Sequence, residues 1–285
     1  MSQPVFLAVE TGGTKIVWRM ADAAGAVLGQ GRFATGRPEA AVEALVAAAA
    51  GRPVAGLGVA SFGPLVVDPQ AADRGLMLAT PKPGWAGFNL SKRLAERLDA
   101  PFAVDTDVNA AAVAEARLGA GRGARAVAYV TVGTGIGGGL CVDGRTLKGA
   151  LHPEIGHLFV RRIEGDDQPS ACGFHSDCVE GLAAGPAMQA RLAGRRLEEA
   201  EAVRALAADY LGQLVAGLLF AWAPDRIVFG GGVMSTPGLI AEVEHAARRW
   251  VNGYGPSVLM GDHGFLVPAA LEDAGLEGAM LMARD

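Results

Sequence analysis

A few residues in this chain have types and spacing suited to chemistry, and the densest group is Cys172-Gly-Phe-His175-Ser-Asp-Cys178. Two thiols and an imidazole stand at i, i+3 and i+6, and His157 lies 15 residues upstream. Four nitrogen and sulfur donors in so short a span match tetrahedral zinc, and a closed set of four marks a structural ion. The alternative is two buried cysteines beside unrelated surface histidines. With three cysteines and five histidines in all, clustering of this kind speaks for metal. His152, His245 and His263 stand apart and suggest no site. Cys141 sits at an alternating strand position and reads as core.

Three glycine clusters form a second group: Gly12-Gly13, Gly133 to Gly139, and Gly230-Gly231-Gly232, each following a strand-like run. Glycine lets successive backbone N–H groups approach an anion and form a concavity around it. Thr11, Thr14, Thr131 and Thr134 add hydroxyls, and Lys15 adds a cation. Gly133-x-Gly135-x-x-Gly138 formally fits the dinucleotide fingerprint, but Leu140-Cys-Val-Asp-Gly follows as a strand and hairpin where a helix is required. No Gly-x4-Gly-Lys-Ser/Thr string occurs, which excludes the P-loop. Any one cluster could be an ordinary tight turn; three at strand ends point to a nucleotide.

The third group is Asp105-Thr106-Asp107-Val108-Asn109-Ala110, between a strand and a helix. Phosphoryl transfer to an alcohol needs a carboxylate within hydrogen-bond reach of the hydroxyl proton. Helix capping is the competing explanation for an Asp at such a junction. On local grounds Asp105 and Asp107 are both candidates.

The elements that must carry these groups alternate between strand and helix. Strands are predicted at Val5–Glu10, Ile16–Met20, Val27–Arg32, Val54–Ala60, Phe102–Asp105 and Arg226–Gly230. Helices are predicted from Pro38, at Ala110–Leu118, Leu182–Ala193, Glu199–Ala223 and Leu276–Ala283. The segment Ala126–Leu147 repeats the design of Val5–Gln30, with Val130-Thr-Val-Gly133-Thr-Gly135 overlaying Val9-Glu-Thr-Gly12-Gly-Thr14 at an offset of 121 residues. A repeated strand, glycine loop and strand suggests two related α/β halves with a cleft between them.

Bulk properties narrow the class. The net charge of −5 and the absence of a Lys/Arg block give no field for nucleic acid. Met1-Ser2-Gln3-Pro4 lacks a basic n-region, and the apolar stretch around Leu214–Pro224 falls short of the roughly 18 residues of a membrane span. The odd cysteine count makes poor disulfide arithmetic, so a cytoplasmic, reducing compartment is expected.

Along essentially its whole length the sequence resembles the ROK sugar kinases and repressors. Glu10-Thr-Gly-Gly-Thr-Lys15 is similar to the family's first phosphate loop, Val132-Gly-Thr-Gly-Ile-Gly-Gly-Gly139 to its second, and Ile227-Val-Phe-Gly-Gly-Gly-Val233 to its adenosine segment. Thr106-Asp-Val-Asn-Ala-Ala111 resembles the catalytic motif, which selects Asp107 as base over Asp105. Glu154-Ile-Gly-His157 resembles the element whose Glu contacts sugar and whose His binds zinc. The loop Cys172–Cys178 with Glu180 resembles the zinc loop, with Glu180 also facing sugar. Ser61-Phe-Gly-Pro64, Thr80-Pro-Lys-Pro-Gly-Trp85 and the Cys-x2-His-x2-Cys spacing are similar to the bacterial fructokinase branch, as is Glu10 in place of the wider family's Asp. Thr106 stands where glucose-type members often carry Asn.

The resemblance implies an actin-like (ribonuclease H-like) α/β fold of two lobes with the active site in the cleft between them. The small lobe would take residues 1–110 and a C-terminal helix at about 272–285, the large lobe 111–271. It implies ATP and Mg²⁺, a structural Zn²⁺ on His157, Cys172, His175 and Cys178, and a hexose acceptor, D-fructose. Glu10, Thr11, Gly12, Gly13, Thr14, Lys15, Thr131, Gly133, Thr134, Gly135, Gly137 and Gly230 to Gly232 would bind the nucleotide. Ser61, Gly63, Pro64, Thr106, Asp107, Glu154, His157 and Glu180 would bind the sugar. A homodimer without nucleic acid or membrane partners is expected, with glucose- or mannose-type kinases as the alternative. A sugar-responsive repressor would need a DNA-binding module ahead of the first phosphate loop, where this sequence has nine residues.

Overall fold

The computed structural model describes residues 4–261 and 264–285. The readings of Met1-Ser2-Gln3 and of His263 therefore lie outside the described residues. Among those described, ten strands and eight α-helices occur. In the first part of the chain these are β1 (Val5–Thr11), β2 (Lys15–Asp22), β3 (Val27–Ala34), α1 (Pro38–Ala49), β4 (Val54–Ser61), α2 (Leu90–Leu98), β5 (Phe102–Thr106) and α3 (Asp107–Leu118). There follow β6 (Ala126–Val132), β7 (Ile136–Val142), β8 (Arg145–Thr146), α4 (Val179–Ala183), α5 (Gly185–Leu192), α6 (Glu201–Trp222), β9 (Arg226–Gly230), α7 (Leu239–Val251), β10 (Leu266–Pro268) and α8 (Ala274–Arg284).

The chain divides into two compact units. The first takes the chain as far as Ala114, together with Thr146–Pro153 and Glu272–Asp285; the second takes Glu115–Arg145 and Glu154–Leu271. Each is built on one five-stranded sheet, in the orders β3-β2-β1-β4-β5 and β10-β9-β6-β7-β8. Set side by side, the two orders are the same: β6 corresponds to β1, β7 to β2, β8 to β3, β9 to β4 and β10 to β5. The first pair of each is antiparallel, β1 with β2 and β6 with β7. The crossover pair is parallel, β1 with β4 and β6 with β9. The 121-residue offset in the sequence is therefore one α/β plan used twice, in the actin-like, ribonuclease H-like arrangement.

In the first unit Leu7, Val9, Ile16, Leu57 and Val59 are buried with Leu45 of α1 and Leu94 of α2. Helix α8 covers the other face of that sheet, burying Leu276, Ala279 and Met280 against Ala8 and Ala60. Its approach requires glycine on β4: a Cβ at Gly56 or Gly58 would stand 2.0 or 1.9 Å from the carbonyl oxygens of Ala283 and Ala279. In the second unit Leu211, Leu214, Val215 and Leu218 of α6 pack with Val243 and Ala247 of α7 over Val130, Ile227 and Phe229 of the sheet. Helix α6 is long and apolar enough by composition to cross a membrane, beyond the shorter run read from the sequence. Its most apolar window is 61% buried within the protein, as a core helix requires.

Several elements depart from the sequence reading. Helix α3 begins at Asp107, three residues before the predicted Ala110, because the Thr106 hydroxyl caps it by accepting the Asn109 N–H at 3.1 Å. The single helix predicted over Leu182–Ala193 is broken at Ala184, whose backbone is extended. Pro186 favours the start of a new helix there, and the Gly185 N–H is engaged by the Gly133 carbonyl at 2.7 Å. Residues 146–153, read as part of the second lobe, belong to the first unit. Asp105 holds them there, accepting from the Thr146 hydroxyl at 2.9 Å and the Lys148 ammonium at 2.7 Å.

Candidate nucleotide, sugar and metal site

Within the first unit, the β1–β2 hairpin closes on its own backbone, with the Gly12 N–H donating to the Lys15 carbonyl at 2.8 Å. Thr35 clamps the loop from β3's side. Its hydroxyl donates to the Gly12 carbonyl at 2.8 Å and its N–H to the Thr14 carbonyl at 3.0 Å. Gly13, Thr14 and Lys15 are exposed at the tip. Thr11 and Ser61, expected from the sequence at nucleotide and sugar, meet each other. Both are buried, the Thr11 hydroxyl donating to Ser61 Oγ at 2.9 Å and the Ser61 hydroxyl to the Phe62 carbonyl at 3.0 Å. Gly63 and Pro64 keep partial exposure. Glu10 leaves the loop and turns to α8, where a Cβ on Gly275 would meet its carboxyl at 2.7 Å. Burial, then the charge of Asp273, raises the Glu10 pKa, against the opposing pull of Lys15 and the Leu276 N–H.

The two aspartates at the strand–helix junction divide their work. Asp105 is buried and accepts four hydrogen bonds: Thr106 N–H at 2.9 Å and Asn109 Nδ2 at 2.7 Å on Oδ1, with Thr146 and Lys148 on Oδ2. Those four bonds occupy the lone-pair sites of the carboxylate. Because Thr106 performs the capping, Asp107 is the first residue of α3 rather than its cap. Its half-buried carboxylate accepts the Val108 N–H at 2.9 Å. Thr106 is 2% exposed, and its hydroxyl oxygen accepts the capping bond.

In the second unit the β6–β7 hairpin repeats the first with one residue fewer, the Gly133 N–H donating to the Gly135 carbonyl at 2.9 Å. Thr134 is exposed at its tip, and Thr131 and Gly137 face each other across the ladder. Thr131 also pairs with Gly230, so the third glycine cluster, Gly230 to Gly232, leaves β9 beside this hairpin. Glu180 of α4 supports the hairpin, its Oε2 accepting the Ile136 N–H at 2.9 Å. A Cβ at Gly135 would stand 2.5 Å from that oxygen. Gly135→Val therefore drives Glu180 off the loop, and we expect KM for nucleotide to rise about tenfold in steady-state assays, the effect of losing an anchored charge-assisted bond.

Glu180 also faces the four-donor cluster, with Oε1 4.0 Å from His157 Nε2. His157, Cys172, His175 and Cys178 bring one ligand atom each within 4.8 Å of one another. Cys172 Sγ lies 3.8 Å from His157 Nδ1 and 3.7 Å from His175 Nδ1. Tetrahedral zinc at about 2.3 Å from sulfur and about 2.0 Å from nitrogen would set such separations near 3.5 Å, so the cluster fits the ion. Burial, helped by Cys172 and Glu180 and opposed by the Gly181 N–H, pushes the Cys178 thiol up to about 11. A divalent cation bound there would supply the charge that favours the thiolate.

The loop is held from outside as well. The Arg162 guanidinium donates to Asp177 at 2.8 Å and to the carbonyls of Asp166, Gln168 and Ser176. Asp166 binds Arg191 and accepts the Tyr210 hydroxyl at 2.7 Å. Burial alone would raise the Asp166 pKa; these bonds outweigh it and hold the group below the usual carboxylate range. Glu154 stands exposed at the start of the 3-10 turn Ile155–His157, its carbonyl accepting the His157 N–H at 3.1 Å. Thr35, Gly185 and Arg162 were not singled out in the sequence, since nothing local marks a residue whose partner lies in another element.

Each unit of this two-part α/β protein thus carries a glycine hairpin, the first with an aspartate at a helix start and the second with a four-donor cluster. A family model described as the ROK family matches residues 6–285. The chain belongs to the ROK family. It is 35% identical over 280 residues to a fructokinase of Pediococcus pentosaceus, covering 97% of this chain and 96% of that protein. Among solved structures, the ROK hexokinase of Thermus thermophilus is similar with a TM-score of 0.78 at 32% identity, covering 98% of this chain and 97% of that one. A ROK family glucokinase of Streptomyces griseus, in complex with glucose and AMPPNP, gives 0.77 at 28% identity, with 98% and 99% covered.

Proposed function

We propose that this chain transfers the γ-phosphate of ATP to the 6-hydroxyl of D-fructose, giving fructose 6-phosphate. The observation that carries the reading is the division of labour at the strand–helix junction. Thr106 caps α3, four donors occupy the buried Asp105 carboxylate, and Asp107 opens the helix with its carboxylate half-buried, at the position where the resemblance puts the base. The likeness to a fructokinase over nearly the full length of both chains supports fructose as acceptor.

Asp107 accepts the proton of the sugar hydroxyl as its oxygen attacks the γ-phosphorus in line, and ADP leaves. The backbone N–H groups of residues 12–15 and 133–137 bind the phosphates of the Mg²⁺–ATP substrate, and Gly230 to Gly232 border the nucleoside. Glu154 and Glu180 accept hydrogen bonds from sugar hydroxyls, with Gly63 and Pro64 shaping the pocket. His157, Cys172, His175 and Cys178 hold Zn²⁺, whose role when bound is to fix the loop that presents His157 and Glu180. The enzyme works in the cytoplasm as a homodimer, the latter to be read from its mass by light scattering.

The test is direct. Purified protein is incubated with ATP, Mg²⁺ and a panel of hexoses, and the products are identified by mass and position of phosphate. Fructose phosphorylated at carbon 6 with the highest kcat/KM is the expected result. Preference for glucose or mannose replaces the acceptor and leaves the kinase reading in place; no phosphorylated sugar at all defeats both.

A further inference from the structure

We propose that Lys82 is a further catalytic residue of the transfer, a cation that grips the terminal phosphate of the nucleotide at the first glycine hairpin; this rests on the kinase reading above. The hairpin has one lysine of its own, Lys15, and a second ammonium reaches it from the same unit. Lys82 Nζ donates to the Gly13 carbonyl, and a methyl built on Gly13 would stand 3.7 Å from that nitrogen. Gly13 is exposed at the loop tip and Lys82 is half-buried.

The arm that carries Lys82 is stiff. Pro81 and Pro83 flank it, each with φ fixed by its ring. The Lys82 carbonyl accepts the Trp85 N–H at 3.2 Å, and the Lys82 N–H donates to Thr80 Oγ1 at 3.4 Å. Trp85 is 1% exposed and lies edge-on to Phe62 at 5.1 Å. Its indole N–H donates to the Gly36 carbonyl at 2.9 Å. Gly36 adjoins Thr35, the residue that clamps Gly12 and Thr14. Arm and hairpin are thus fastened to adjacent residues, Gly36 and Thr35, so the ammonium is held over the loop and not merely able to reach it.

A backbone carbonyl is a modest partner for an ammonium, and a phosphate oxygen carrying charge is a better one. The flexible four-carbon stem lets Nζ exchange one for the other within the same small space. Charge spreads over the γ-phosphoryl oxygens in the transition state, where a positioned cation acts most strongly. A purely structural Lys82 would instead brace the hairpin and affect every nucleotide alike.

Calorimetric titration of the full chain with AMPPNP and with ADP, in Mg²⁺, separates the two roles. For Lys82→Met the affinity for AMPPNP should fall about tenfold, as for loss of one charge-assisted contact, while that for ADP stays within about twofold. The kcat for fructose phosphorylation should fall about 10²-fold, and Lys82→Arg should recover part of both losses. Parallel weakening of AMPPNP and ADP, or a Lys82→Met kcat within about twofold of wild type, overturns the proposal. Should Lys82→Met melt early, Lys82→Arg carries the same comparison, since it keeps the charge and alters the reach. A wild-type chain that binds both nucleotides but phosphorylates no sugar defeats the kinase reading, while the AMPPNP-to-ADP ratio still judges Lys82. One that binds neither overturns both.

Discussion

Replacing Asp107 by alanine is expected to lower kcat for fructose phosphorylation about 10³-fold, the usual worth of a positioned general base, about 4 kcal/mol in the barrier. Fructose affinity and thermal stability should change little, because the cap of α3 is Thr106 and survives the substitution. Asp105→Ala provides the contrast. It leaves Lys148, whose side chain is 26% exposed, without its carboxylate partner, and orphans donors on Thr106, Asn109 and Thr146. Breaking this part-buried pair and leaving three further donors unmatched costs about 2 kcal/mol or more, so Asp105→Ala should melt early. Differential scanning calorimetry and initial rates, run on both variants, read the two effects. Asp107→Ala retaining more than a few per cent of wild-type kcat would transfer the base to another residue.

The second large effect is at the metal cluster. Cys172→Ala removes the thiol that faces both His157 and His175, and with it the tetrahedral set. We expect metal analysis to find about one zinc per chain in the wild type and none in the variant, with Tm lower by roughly 5 °C or more. Sugar affinity should fall about tenfold, as disturbance of a metal's supporting residues commonly does. Glu180 predicts where the damage spreads. It stands 4.0 Å from His157 Nε2 and accepts the Ile136 N–H of the second glycine hairpin, so nucleotide KM should rise as well. Chelation of the wild-type protein should reproduce all of these changes. Purified wild-type protein free of zinc would defeat the assignment.

Much of the architecture was legible because it is written in local periodicity. The strand–glycine–strand repeat at 121 residues announced two halves, and the sheet orders bear out a duplicated plan. Helix starts were less legible. Asp107 resembled a cap because Asp is a good one, yet the residue before it, Thr106, reaches the Asn109 N–H instead. The break at Ala184 was missed because the partner of the Gly185 N–H is the Gly133 carbonyl, 52 residues earlier in the chain.

The amino-acid sequence by itself determined which groups are available: two glycine hairpins, a pair of aspartates at one strand end, and four soft ligands within 22 residues, from His157 to Cys178. Only the tertiary structure decided which of those groups are spent on holding the fold. Thr11, Ser61, Thr106 and Asp105 have residue types fit for ligand contact and are buried, each engaged in a hydrogen bond within the fold. Lys82, in a segment that the sequence marked only as similar to the fructokinase branch, is delivered to the Gly13 carbonyl. The reason is physical: a buried polar group must be satisfied by whatever neighbour folding brings to it, and that neighbour is usually remote in sequence.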